Sequence, residues 1–306
     1  MRLCGDIGGT KALLGLVDAA GNIVHDRRLE AADFPDFAAL FDEFLRTAPH
    51  VAIAGGCLAV AGPIADDGRS ARLTNLPWTI DADAIKAHFG LGRLRLVNDF
   101  AAAALGVTVA DPAALVPLQA GMPLADAPRL VIGAGTGLGM AILVPEGGRF
   151  RVLPGEGGHV AFGPADALQA ELWADLHARH GRVTVEQVVS GPGLSAIHRF
   201  LTGETLDPAE ITARAPESDA ARRSVDLFLA AYGAFAGDMA MAVLSRGGVF
   251  LAGGIIGKLA EKSSLAPFLD AFNAKALHSA LAEYMPIHRV TDPALGLKGA
   301  ALMAID

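Results

Sequence analysis

The sequence predicts an α/β chain of two domains, with mixed sheets flanked by helices on both faces. Three observations predict it. Strand and helix patterns alternate in the order βββαβ(β)αβα over the first third of the chain. A strand, a glycine turn and a second strand (Leu130–Ala134, Gly135-Thr136-Gly137, Leu138–Val144) then repeat the device that opens the sequence, as though a fold were duplicated. The length, 306 residues, matches about two domains.

Composition narrows the class. With 52% hydrophobic and 19% charged residues the chain can bury sizeable cores. The net charge of −8, with no run of Lys or Arg, excludes a large nucleic-acid or anionic-membrane surface. Cys4 and Cys57 sit in apolar strand-like runs, which suits free buried thiols and not a disulfide framework or a Cys-based zinc site. The opening Met1-Arg2-Leu3-Cys4-Gly5-Asp6 is not a typical signal peptide, and no apolar run reaches the roughly 18 residues of a membrane span. A soluble, cytoplasmic chain is expected.

In chain order, residues 2–27 read as a β-meander. Arg2–Asp6 and Lys11–Val17 flank the turn Ile7-Gly8-Gly9-Thr10, and Asn22–Arg27 follows. The N–H groups of Gly8, Gly9 and Thr10 are expected to be free to converge on an anion, with Asp6 offering a carboxylate to a hydrated Mg²⁺. A helix over Phe34–Ala48 carries Phe37, Leu40, Phe41, Phe44 and Leu45 at helical spacing. A strand over Val51–Val60 ends in Ala61-Gly62-Pro63. Thr74 and Asn75 beside Trp78 are short polar groups suited to a hydroxylated ligand, although loop polarity explains them equally well, and a helix follows from Asp81 to Phe89.

The buried-strand pattern Leu94, Leu96, Val97 ends abruptly in Asn98-Asp99 before an Ala-rich helix. An ionisable group at the carboxyl end of a buried strand is costly unless paired or used, and ligands bind at such ends in open α/β sheets. On this stretch alone, capping the next helix explains Asp99 equally well.

A Pro- and Ala-rich passage, 111–128, leads into the second domain. Neither glycine turn has the dinucleotide spacing, and Gly253–Leu259 is not a Walker A loop. In Leu153–Phe162 the glycines turn the chain so that Glu156 and His159 face one point, which a plain surface turn explains as well, and the apolar surroundings of Glu186 leave open a half-buried carboxylate or a solvated edge. A helix over Ala165–His180 ends in His177 and His180 on a solvated face, and Ser190 caps a helix with Pro192 in its first turn. Val225, Phe228, Tyr232, Phe235, Met239 and Val243 make 219–244 a long amphipathic core helix. A strand at 247–252, the pair Gly253-Gly254 and a helix come next. A strand over Pro286–Val290 and a helix over Leu295–Ala304, placed to cross back onto the first domain, end the chain.

Six motifs together resemble the bacterial glucokinases of the hexokinase–actin–Hsp70 ATPase superfamily. They are Asp6-Ile7-Gly8-Gly9-Thr10, Leu96-Val97-Asn98-Asp99-Phe100, Gly133–Gly139, Leu153–His159, Ser190-Gly191-Pro192-Gly193 and Leu251–Ile255. The resemblance runs from residue 3 to the C-terminus and implies a two-domain actin-like (ribonuclease H-like) kinase with an interdomain cleft. Its domains would be 1–108 plus 294–306, and 109–293. It implies Asp99 as catalytic base, with Asn98, Glu156, His159 and Glu186 as sugar ligands beside Thr74 and Asn75. Gly8, Gly9 and Thr10 look like the first phosphate loop of an ATP site, Gly135, Thr136 and Gly137 like the second. Gly253 and Gly254 resemble the adenosine contact, and Asp6 the residue that positions Mg²⁺ through water.

Lys11 departs from the Asn that glucokinases often carry there, and the same string occurs in the neighbouring ROK kinases. The Cys-rich zinc signature of that group is absent from the sequence. The expectation is therefore a non-ROK, ATP-dependent glucokinase acting on a small-molecule sugar as a homodimer, with exposed helices such as Ala165–His180 as a candidate dimer face. Another hexose kinase, for mannose, fructose or N-acetylglucosamine, and a non-catalytic sugar sensor of the same fold stay open.

Overall fold

A computed structural model of the chain describes residues 1–74 and 76–305. Contacts divide it into two compact units. The first comprises Met1–Pro112, the short stretch Phe150–Pro154 and the C-terminal segment from Asp292; the second comprises Ala113–Arg149 and Gly155–Thr291.

The first unit opens with the expected meander, β1 (Arg2–Ile7), β2 (Lys11–Val17) and β3 (Ile23–Glu30). Helix α1 (Phe37–Thr47) is shorter than its periodicity suggests. Asp36 adopts an extended conformation and accepts the N–H of Ala39 at 2.8 Å, so the helix begins after Phe34 and Pro35. Then come β4 (Gly55–Val60), which starts later than expected, the small pair β5 (Ser70–Arg72) and β6 (Thr79–Asp81), α2 (Ala82–Phe89), β7 (Arg93–Asn98) and α3 (Asp99–Gly106). The sheet order is β3-β2-β1-β4-β7, with β1, β4 and β7 parallel. Phe37, Leu40, Phe41 and Phe44 of α1 form one core with Leu3, Ile7, Leu14 and Leu16 of the sheet.

The second unit contains β8 (Leu115–Gln119), β9 (Arg129–Ala134) and β10 (Leu138–Glu146); of the strand β11 (Arg149–Gly155) only the end residues Arg149 and Gly155 fall in it. Helices α4 (Ala167–His180), α5 (Gly191–Thr202), α6 (Pro208–Arg214) and α7 (Asp219–Val243) follow. Then come β12 (Val249–Ala252), α8 (Gly254–Lys262), α9 (Ala266–Asn273), α10 (Ser279–Glu283) and β13 (Ile287–Val290). The sheet order is β11-β10-β9-β12-β13-β8. Strand β8 lies in the passage read as irregular. It is an edge strand, where Pro117 is tolerated because no further partner needs its N–H.

Helix α7 is long and apolar enough, by length and composition, to cross a membrane, contrary to the sequence expectation. Yet 61% of its apolar window is buried. Val225, Phe228, Tyr232 and Phe235 lie in the core against β9 and the neighbouring helices, which makes α7 a core helix.

The last helix, α11 (Leu295–Ile305), packs on α3, β1 and β4 of the first unit. The approach is at backbone distance. A Cβ on Gly299 would stand 1.7 Å from the Ala102 carbonyl oxygen, and one on Gly106 would stand 2.1 Å from that of Leu295. The small residues of α3 serve this crossing.

Candidate functional site

In the first unit, register brings the chemistry to the carboxyl ends of the parallel strands. Ile7 pairs with Val60 and Val60 with Asn98, so the parallel strands β1, β4 and β7 end level. Asn98 is the residue that caps α3: its Oδ1 accepts the N–H groups of Phe100 at 2.9 Å and Ala101 at 3.1 Å. The capping role open to Asp99 thus falls to its neighbour. Asp99 becomes the first helical residue, half-buried, its Oδ1 2.8 Å from the Phe100 N–H, at the helix end that favours negative charge.

Asp6 is half-buried one residue before the end of β1, pressed against α11, where a Cβ on Gly296 would lie 2.3 Å from its Oδ2. Burial foremost, then the charge of Asp99, pushes its carboxyl up to about 6, with Arg28 opposing. Beside it a cavity of about 160 Å³ is lined by Asp6, Gly8, Lys11, Leu13, Arg28 and Pro293. Sequence reasoning missed Arg28. The usable signal was register, because Asp6 pairs with Leu13 and Leu13 with Arg28, which puts all three on one face of the sheet. Lys11 reaches Glu30 at 3.7 Å across the hairpin.

The donor set fits a nucleotide-borne Mg²⁺. Among the described residues no group of three or more His, Cys, Asp and Glu could hold a metal by itself. A single desolvated carboxylate beside a cationic cavity suits an ion that keeps its waters and takes its other ligands from phosphate.

The glycine turns differ from expectation in one respect. The Gly8 N–H is not free, because it donates to the Lys11 carbonyl at 2.9 Å; the Gly135 N–H likewise donates to that of Gly137 at 2.8 Å. The first glycine of each turn closes the hairpin. Among the described residues Gly9, Thr10, Thr136 and Gly137 keep N–H groups with no protein acceptor. Thr74 donates its hydroxyl to the Ala61 carbonyl at 3.3 Å, and Asn75 lies outside the described residues.

In the second unit, β9 and β12 run parallel with Gly133 opposite Ala252, so Gly135–Gly137 and Gly253-Gly254 leave adjacent strand ends. Gly253 has φ +88°, and its Cβ would come within 2.6 Å of the Ala134 carbonyl oxygen, so only glycine fits. Among the described residues no atom lies within 4 Å of a Cβ on Gly254 and no side chain caps α8, which leaves its N-terminus open to a ligand.

Glu156 and His159 flank a short 3₁₀ turn, with Oε2 and Nε2 3.8 Å apart and both side chains exposed. The turn lies on β10 because a Cβ on Gly158 would meet the Leu138 carbonyl oxygen at 2.5 Å. Glu186 is half-buried and not a solvated edge; it donates its N–H to the Gly158 carbonyl at 2.9 Å and accepts the Leu138 N–H on Oε2 at 2.8 Å. The structure therefore brings Gly135–Gly137, Glu156–His159 and Glu186 together. Ser190 caps α5 through the Gly193 N–H at 3.1 Å. His177 and His180 lie exposed at the end of α4, and His177 stacks on Trp173 at 4.7 Å.

Two α/β units, each with a glycine-turn hairpin beside parallel strand ends, define a sugar kinase of the actin-like ATPase fold, and comparison with known proteins agrees. The Glucokinase family model matches residues 3–306, and the chain belongs to that family. A glucokinase of Nostoc punctiforme is 36% identical, over 99% of this chain and 98% of that relative. A crystal structure of a glucokinase from an Antarctic psychrotroph superimposes with a TM-score of 0.88 at 32% identity, over 99% of this chain and 98% of that one. A ROK family glucokinase from Streptomyces griseus, solved with glucose and AMPPNP, shares the fold at 20% identity and a TM-score of 0.65, over 99% and 98% of the two chains.

Proposed function

We propose that this chain transfers the γ-phosphoryl group of ATP to the 6-hydroxyl of D-glucose, giving glucose 6-phosphate and ADP. The observation that carries the reading is Asp99: a carboxylate fixed at the end of β7 by the Asn98 cap, within Coulomb reach of Asp6. An alcohol is a weak nucleophile, so a base that takes its proton as the new P–O bond forms speeds the transfer. Asp99 fills that role.

Asn98, whose Oδ1 is committed to α3, has its amide N–H₂ to offer a sugar hydroxyl. Glu156, His159 and Glu186 supply acceptors and a donor to the others, with Thr74 and Asn75 as weaker candidates. Gly9 and Thr10, and Thr136 and Gly137, offer backbone N–H groups to phosphate oxygens, while Gly8 and Gly135 shape the turns. Gly253 and Gly254 leave room for the adenosine. Asp6 would hold Mg²⁺ through water; the ion supplies neutralisation of charge on the phosphates. The functional domains are taken as 1–108 plus 294–306, and 109–293, acting as a homodimer in the cytoplasm with α4 as the contact face. Light scattering would report a single-chain mass if the dimer is wrong.

A coupled ADP-release assay over a hexose panel tests the reading. Turnover with glucose well above fructose, mannose and N-acetylglucosamine is expected; turnover with fructose and none with glucose would reassign the substrate.

A further inference from the structure

Glu186 sits where three segments of the second unit meet, and among the described residues only one of its carboxylate oxygens has a protein partner. Oε2 accepts the N–H of Leu138, the residue that follows the Gly135–Gly137 turn. Its backbone N–H holds Gly158, between Glu156 and His159. Five residues on, Gly191 donates to the Gly135 carbonyl at 2.8 Å, so the segment 186–191 grips the phosphate turn at both ends. Space for the carboxylate depends on Gly137, where a Cβ would stand 2.6 Å from Oε2. Among the described residues Oε1 has no protein hydrogen-bond partner.

We propose that Glu186 couples the two substrates: it positions the Gly135–Gly137 turn for nucleotide phosphate through Oε2 and receives a sugar hydroxyl on Oε1. The inference rests on the kinase reading above. A carboxylate–amide bond is charge-assisted and short, so it fixes the turn more firmly than a neutral acceptor would. A sugar bound to Oε1 then orders the same side chain that orders the turn. Coupling between two binding events is reciprocal, so each substrate tightens the other.

Calorimetric titration of the full chain with Mg²⁺–AMPPNP, with and without saturating glucose, tests this. Glucose should tighten AMPPNP about fivefold or more in the wild type. Glu186→Ala should weaken AMPPNP by a similar factor even without sugar, and should abolish the effect of glucose. Glu186→Gln keeps an amide oxygen for the Leu138 N–H, so its sugar-free AMPPNP affinity should stay within about twofold of wild type while its KM for glucose rises. That rescue separates positioning of the turn from loss of fold, and it remains decisive if Glu186→Ala fails to fold. If Glu186→Gln loses sugar-free nucleotide binding, if Glu186→Ala retains it, or if glucose leaves the wild-type affinity unchanged, the coupling role is overturned. A wild type that binds neither glucose nor AMPPNP overturns the kinase reading, and the inference with it.

Discussion

Asp6 and Asp99 lie near the carboxyl ends of the parallel strands and are asked to do different work. Substituting Asp99 by Asn should lower kcat by about 10²–10⁴-fold, the range for a lost general base, while the KM for glucose changes little. The coupled assay reads both, and a near wild-type kcat would remove Asp99 from the base role. Burial, and then the charge of Asp99, push the Asp6 carboxyl up from 3.8 to about 6. A carboxyl raised on folding binds more protons in the native state, so stability falls as pH rises from about 4 to about 6, and the full cost is present above that. Asp6→Asn should therefore melt higher than wild type at pH 8, with the gap closing toward pH 4, and should be a poorer enzyme at both. An equal melting temperature at pH 8 would contradict the burial of that charge. At this scale the sequence exposed the charged and glycine positions, because each breaks an apolar pattern. It did not expose which N–H groups the turns consume, or Arg28, because both depend on which atoms face each other across a hairpin.

Helix α3 and helix α11 show how an element without chemistry of its own places one that has it. Their backbones approach at Ala102 and Gly299, and this crossing holds the first turn of α3, where Asp99 sits. Gly299→Val forces side-chain atoms into the Ala102 carbonyl and should cost about 1–3 kcal/mol or more in a denaturant titration. Gly163→Ala, with no atom within 4 Å of the added Cβ and no positive φ, should stay within about 0.5 kcal/mol of wild type. Equal effects of the two would mean that the crossing carries no constraint. Helix periodicity announced α1 and α7 because each carries an apolar stripe at helical spacing. Strand β8 stayed hidden because its five residues include a proline, and its place in the sheet comes from pairing with β13, far along the chain.

For the whole molecule, a hydroxyl-reading site explains selectivity better than an apolar pocket does. A carboxylate or imidazole left unpaired by a missing hydroxyl is penalised far more than a lost methylene contact, so 2-deoxyglucose should lose kcat/KM relative to glucose if a side chain reads that position. The repeated strand–turn–strand units make the α/β class legible in the sequence, since each advertises itself locally. The assembly of Glu156, His159 and Glu186 was legible only as separate loops, because the hydrogen bonds that join them span tens of residues. The most direct measurement is ADP release by the full chain with Mg²⁺–ATP and glucose, run beside Asp99→Asn under saturating sugar. Glucose-dependent ADP release in the wild type, falling at least about a hundredfold in the variant, is the predicted result; no glucose-dependent release in the wild type, or equal release by both proteins, would contradict it.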